Sequence, residues 1–375
     1  MMAFETRRGR PADGRPAPRA RWQRRATYAA LGLLLGLAGC TSGPTTGGVG
    51  GSPSAGGGQA AGNVVADPLA KVGSWSMAVS RDESRIAAPC LKHVCLWDTA
   101  SGRLVGSVPG AGVVALSPDG AQLATQGVSN GTTGALSVRV VSVPGGAVIA
   151  ELAGHTFPKT TDGLLGLTAA AYSPDGTVLA TAAHDGTVRL WSTSTWAALR
   201  VLEPGGSRPT AVAFSPDGSR LAVASSDAPA SIWAVATGAR QATLTSASRQ
   251  GYGITFTSDG LKVATGVTDP DQAARVIDIA TGSVTAAFPG SVTAHGFAAS
   301  SAGDLIAFSD TASRAVIVWP LSGSAPRRLV GHTDAPHAVA FSPDGTSLYS
   351  ASSHDGILRW DPVTGALVAR FELPI

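Results

Sequence analysis

The chain has 375 residues, of which 44% are apolar, 6% aromatic and 14% charged, with 47 glycines and 24 prolines. This composition reads as a turn-rich β protein preceded by an unstructured stretch. The formal net charge of +3 has a local origin: residues 1–39 hold eight of the 28 basic and two of the 25 acidic residues, so the remainder carries 20 against 23, and a nucleic-acid partner loses its support.

The first segment sets the expected compartment. Eight arginines, at positions 7, 8, 10, 15, 19, 21, 24 and 25, precede the uncharged run Ala26 to Gly39. A basic region followed by a short apolar region and small residues is a secretory signal, and fourteen residues fall short of the roughly 20 that span a bilayer. The run Leu37-Ala38-Gly39-Cys40 resembles the bacterial lipobox, which implies cleavage before Cys40 and a lipid on its thiol. Secretion without the lipid is the alternative. The export route, Sec or Tat, stays open, because Gln23 before Arg24-Arg25 and Ala26-Thr27 after it fit a twin-arginine pattern poorly. From Thr41 to about Asn63 the chain is Gly, Ser, Thr, Pro and Ala, too polar and too small to fold. As a tether it would span roughly 25–30 Å. The expected division is signal peptide 1–39, lipidated cysteine and linker 40–66, and one folded domain 67–375.

Within 67–375 one unit recurs seven times. Its fullest copy holds Ser173-Pro174-Asp175-Gly176, then Val178-Leu179-Ala180-Thr181, His184-Asp185-Gly186 and Thr187-Val188-Arg189-Leu190-Trp191. Pro and Gly at the second and fourth turn positions, and Asp-Gly between alternating apolar residues, predict strand, turn, strand, hairpin, strand. The turn recurs at Ser117 to Gly120, Ser215 to Gly218, Thr257 to Gly260 and Ser342 to Gly345, with worn versions at Ser80 to Glu83 and Ser301 to Asp304. The third strands end at Trp97, Val141, Trp191, Trp233, Ile277, Trp319 and Trp360, and a fourth apolar run such as Leu367 to Phe371 follows. The aspartates at 175, 217, 259 and 344 lie 42, 42 and 85 residues apart. That period predicts an all-β, seven-bladed propeller of four-stranded antiparallel blades, whose faces are covered only by stacking in a ring.

Cys90 and Cys95 flank the hairpin between the second and third strands of the first unit. Residues facing each other there lie within disulfide reach, and an oxidising compartment favours pairing. Two free buried thiols are the alternative. No Cys-x-x-Cys is present to suggest redox catalysis.

These motifs resemble the WD40 repeat family over roughly residues 70 to 375. The resemblance rests on Gly154-His155 and Gly331-His332 ahead of a blade, the Asp-Gly hairpins and the recurrent tryptophans. It implies blade-internal hydrogen-bonded tetrads at His155, Thr181, Asp185 and Trp191, and at His332, Ser350, Asp355 and Trp360. In the second set the aspartate stands one residue later in its hairpin. The five other blades lack the tetrad and must rely on apolar packing. The resemblance also places His184, Ser226 and His354, each just before a hairpin residue equivalent to aspartate, on the partner-facing rim, where ordinary solvated turn residues would equally stand.

Two insertions interrupt the period. One lengthens the hairpin of the second blade through Ser129 to Gly134. The other, Phe157 to Leu167, is an apolar loop at the rim, and Phe157, Leu164 and Leu165 are its candidate partner-binding residues. Folding down over the ring's edge is the alternative for those leucines. No metalloprotease, phosphate-loop or hydrolase-elbow motif occurs, so no catalytic residue, metal or cofactor is expected. The expectation is a non-catalytic scaffold, lipid-anchored on the outer face of the cytoplasmic membrane, that binds a protein of the cell envelope. The alternatives are a ligand-binding or sensor lipoprotein, which aromatic and polar side chains at the channel mouth would favour, and a propeller enzyme.

Overall fold

The computed structural model describes residues 76–371, apart from 91–92, 128–134, 157–165, 207, 247–250, 270–271 and 291. Cys40, the proposed signal and linker, and Phe157, Leu164 and Leu165 therefore lie outside the described residues.

Twenty-eight strands form seven antiparallel sheets, each of four strands consecutive in sequence. The first strands, such as Leu167–Tyr172, Pro209–Phe214 and Pro336–Phe341, touch the first strands of neighbouring blades and so surround the central channel. The fourth strands are the most exposed; Val148, Val201 and Val368 all face solvent.

The core is divided into seven clusters, and each one joins two adjacent blades. Blade three shows why. On its second strand Leu179 packs with Val140 and Leu152 of blade two, while the next residue, Ala180, packs with Leu221 and Val223 of blade four. Side chains alternate across a strand, so an apolar run buries both faces, one against each neighbour. The recurrent third-strand residue always packs against the preceding blade: Trp191 against blade two, Val141 against blade one, Ile277 against blade four.

Seven blades with seven shared cores make a closed circle. The closing core joins Ile86, Ala88, Cys90, Cys95 and Trp97 of blade one to Tyr349, Ala351, Ile357 and Phe371 of blade seven. Blade seven owns its fourth strand, Leu367–Phe371, and blade one owns Leu104–Pro109, so among the described residues no strand is exchanged at the seam. A long-range hydrogen bond spans it, from the Asp344 amide to Glu83 Oε1 at 3.2 Å.

The end carrying the first-to-second-strand turns is locked by one repeated motif. Ser173 Oγ donates to Asp175 Oδ1 at 2.6 Å and accepts the Val178 amide at 2.9 Å, while the Thr177 amide donates to the same aspartate. The motif recurs at Ser80, Ser117, Ser215, Thr257 and Ser342. Blade six departs from the expected frame by one residue. Its turn opens at Ser300, because Gly303, at φ +75, takes the left-handed fourth place that Gly176 takes at +73. Asp304 then reaches back to Ser300 Oγ at 2.8 Å.

Candidate functional site

The opposite end, here the upper rim, carries the second-to-third-strand hairpins and the starts of the first strands. In blade three Trp191 Nε1 donates to Thr181 Oγ1 at 2.9 Å, Thr181 Oγ1 lies 2.9 Å from His155 Nε2, and His155 Nδ1 lies 3.0 Å from Asp185 Oδ2. Indole can only donate, so Thr181 accepts from it and gives its own proton to Nε2; His155 then donates from Nδ1 to the carboxylate. Thr181 Oγ1 is thus acceptor and donor at once. His155 lies on Val148–Thr156, the outer strand of blade two, so the chain of bonds also fastens blade two to blade three.

Blade seven repeats the arrangement. Trp360 Nε1 donates to Ser350 Oγ at 2.8 Å, His332 Nε2 is 2.6 Å from the same oxygen, and His332 Nδ1 is 3.1 Å from Asp355 Oδ2. Both serine-to-tryptophan and threonine-to-tryptophan intervals are ten residues, so the displaced aspartate is absorbed inside the hairpin. Extra donors hold it there: the amides of Thr333 and Asp334, Ser352 Oγ and Thr333 Oγ1.

These contacts fix the charges. Burial pushes the Asp185 carboxyl upward, but the bonds from His155, Thr156 and Thr187 outweigh it and hold the group far below the usual carboxylate range. Asp355 is depressed in the same way, by Thr333, Asp334 and Ser352 against burial. Burial lowers His332 below the ordinary imidazole value despite the Asp355 bond, so it is neutral at pH 7.

The rim residues read from the sequence occupy separate blades. His184 Nδ1 donates to the Gly166 carbonyl at 2.9 Å, so it pins the start of its own first strand. The Ser226 amide donates to the Arg208 carbonyl at 3.0 Å, an equivalent backbone link. His354, the most exposed of the three, bonds Asp334 through Nδ1 at 2.8 Å. Among the described residues no hydrogen bond or ring contact joins one of these three to another. Leu167, which the sequence assigned to the insertion, belongs to the first strand of blade three and is buried in the core with blade two.

Cys90 and Cys95 form a disulfide with Cα atoms 5.7 Å apart. They are diagonal neighbours, since Cys90 pairs with His93 and Cys95 with Ala88. The bond is buried in the core that closes the ring.

Two features escaped the sequence reading. Asp310, 3% exposed, accepts the Thr293 amide at 3.3 Å and a bond from Ser313 Oγ, and so does for blade six what Asp185 and Asp355 do for theirs at Thr156 and Thr333. It sits at the end of a second strand, before the hairpin rather than inside it, and no Asp-Gly pair marks it. The second is an arc at the channel mouth. Tyr252 stacks on His295 with ring centroids 4.7 Å apart, and His295 meets His337 edge-on at 6.4 Å. The three stand five residues before Thr257, Ser300 and Ser342, in the column that holds Gly112, Thr168 and Thr210 in other blades. Aligning the units on the turn residue would have exposed that column.

Three stretches, residues 146–192, 198–233 and 323–361, match the family model described as WD domain, G-beta repeat. Those three stretches, about a third of the chain, are similar to WD40 repeats. Each matched stretch runs from the outer strand of one blade, or the turn before it, to the third strand of the next, so the matched unit straddles two blades of the propeller. Two of the three hold the tetrads and the third ends at Trp233. No curated protein matches the chain.

Among the described residues no group of three or more His, Cys, Asp or Glu is placed to hold a metal ion. One concavity of about 470 Å³ is lined by Ala286, Pro289, Trp319, Pro320, Leu321 and Pro326 among others, none of them titratable.

Proposed function

We propose that this protein is a membrane-tethered, extracytoplasmic WD40 propeller acting as a non-catalytic scaffold, with an envelope protein docked on its upper rim. The observation that carries the reading is the order of the chain: a basic and apolar leader, Cys40, a glycine- and serine-rich linker, then a ring with WD40 repeats, a fold typical of protein-interaction scaffolds. In this reading residues 1–39 are removed, Cys40 carries the lipid, residues 40–66 hold the ring off the membrane, and Phe157, Leu164, Leu165, His184, Ser226 and His354 contribute to the docking rim. The tetrads hold that rim in shape.

Two experiments test it. Labelling growing cells with an alkyne fatty acid should tag the wild-type chain and leave Cys40→Ala untagged; a tag on both removes the anchor. Cross-linking in intact cells, read by mass spectrometry, should lose partner links when residues 157–167 are deleted; unchanged links remove that loop from the docking face.

A ligand-binding or sensor role is the second reading, and a specific observation favours it: the aromatic and imidazole arc of Tyr252, His295 and His337 at the channel mouth.

A further inference from the structure

The fourth strands carry a repeated irregularity on the outer wall of the ring. In blade one Leu96 pairs with Gly106 and Trp97 with Leu104, so Val105 is an extra residue in the ladder. The same place holds Ile149 in blade two, Leu199 in blade three, Gln241 in blade four, Thr285 in blade five and Val368 in blade seven. A bulge bends an edge strand, re-aims the side chain at that point and blunts the edge against pairing with another strand. Each of the six is the second residue of its fourth strand, near the end of the ring opposite the upper rim.

What the bulge presents divides the ring in two. Val368, Val105, Ile149 and Leu199 belong to blades seven, one, two and three, which are consecutive around the closed circle. All four are between 39% and 56% exposed, and none belongs to any of the seven cores. The residue before each is Leu367, Leu104, Val148 or Ala198, exposed as well. Blades four and five offer Arg240-Gln241 and Val284-Thr285 instead, and blade six pairs without a bulge. A single exposed valine is ordinary; the same repeat position filled by a large apolar residue in four successive blades is a surface.

Three observations say what covers it. The chain enters the ring at Ala78–Val79 in blade one, so the apolar blades are the one that takes the tether, its two neighbours and one beyond. The bulges make another strand a poor fit, and four projections on separate sheets suit a fluid surface better than one rigid partner. Charge agrees, because the exposed side chains of Arg103, Arg200 and Arg370 stand on or beside these strands. Of the carboxylates near them, Glu151 is paired with Arg139 and Asp98 with Arg85, while Asp361 accepts the Val363 and Thr364 amides. The wall is left net basic as well as apolar, the combination an anionic bilayer attracts.

We propose that the ring rests edge-on against an anionic phospholipid bilayer, with Val368, Val105, Ile149 and Leu199 entering the headgroup layer and the arginines beside them meeting phosphate. The proposal rests on the tethered reading and amends it in one respect: the linker sets how far the ring can move away, and the apolar wall decides which side returns. A tether spanning roughly 25–30 Å holds that wall at an effective concentration on the order of millimolar, so a weak contact suffices. The upper rim stays clear of the bilayer for a protein partner.

The test places nitrobenzoxadiazole, a polarity-sensitive fluorophore, on Val105→Cys or on Gln241→Cys, the same bulge on the far side of the ring. The full chain, isolated from the cells that make it, is mixed with vesicles of equal parts phosphatidylcholine and phosphatidylglycerol that contain a spin-labelled lipid. The probe at 105 should shift to the blue and be quenched about threefold or more beyond the probe at 241. Val148→Glu, Leu199→Glu and Val368→Glu together should remove that quenching; all three sites are exposed, and an unchanged unfolding temperature would show that the variant folds. Equal quenching at the two sites, or none, overturns the proposal. A blue shift at 105 that the spin label does not quench means that protein covers the wall, and overturns it too. The mass of the isolated chain reads the anchor separately: a lipid on Cys40 without quenching at 105 keeps the anchor and removes the wall. Quenching at 105 without that lipid, with Cys40→Ala keeping the fluorophore at one site, keeps the wall and removes the anchor.

Discussion

Blades two and three carry the same three residues at the same register, Leu123-Ala124-Thr125 and Leu179-Ala180-Thr181, and use them differently. Thr181 sits between the Trp191 indole and the His155 imidazole, with donor and acceptor both engaged. The Thr125 hydroxyl is buried with no hydrogen-bond partner among the described residues. Val141 replaces the tryptophan, and the Gly110 backbone comes so close that a Cβ there would lie 2.7 Å from Thr125 Oγ1. The same residue is a keystone in one blade and a small liability in the next. A tetrad is therefore an all-or-none device: keeping one member without the others leaves an unpaired polar group, which costs about 1–3 kcal/mol.

Four measurements sharpen this contrast. The largest effect belongs to Trp191→Ala, which should cost about 3–5 kcal/mol in chemical denaturation, because it opens a cavity between blades two and three and strands Thr181. Its counterpart Val141→Ala loses only about 1–3 kcal/mol of packing. Equal losses would mean that the tryptophan acts as bulk alone. Next comes Thr181→Val, expected to cost about 2–4 kcal/mol by leaving the indole N–H and His155 Nε2 unmet.

Acid should attack the tetrad blades in two stages. His332 is depressed below its ordinary value of 6.5, so the unfolded chain takes up that proton first and stability begins to fall as the pH drops through about 6.5. Asp185 and Asp355 are depressed below 3.8, so their contribution is intact above that value and disappears as the pH falls below it. Unfolding temperatures measured from pH 8 to pH 3 should show both declines, and His332→Gln should shrink the first without abolishing it, because His295 and His337 are depressed as well. The smallest effect is also the most diagnostic: Thr125→Val should gain about 1 kcal/mol, the reverse sign from the identical change at Thr181. A loss at both sites would show that Thr125 has a partner after all.

The blade count was readable because turn and third-strand residue recur together, and the reason lies in packing: that residue always meets the preceding blade, so every copy faces the same demand. The frame of blade six was misread because the aspartate and glycine exchanged order; φ, set by Gly303, decides the turn, and the carboxylate follows from either side. Asp355 could be named from its neighbours, whereas Asp310 serves the same purpose from a strand end and carries no turn signal. The arc was hidden for a different reason. Tyr252, His295 and His337 share a place in the repeat, but the other blades put Gly112, Thr168 and Thr210 there, and a pattern search follows residue types. Ring closure was illegible because its core joins residues about 260 positions apart, as the contact between Glu83 and Asp344 illustrates.

Because every described blade is one uninterrupted piece of chain, the joint between the last blade and the first is made of the same material as the other six: side chains meeting across a gap, with no shared backbone ladder. A rearrangement that began translation at a different blade would inherit every sheet whole, and the circle could gain or lose its starting point in evolution without breaking a single strand pairing.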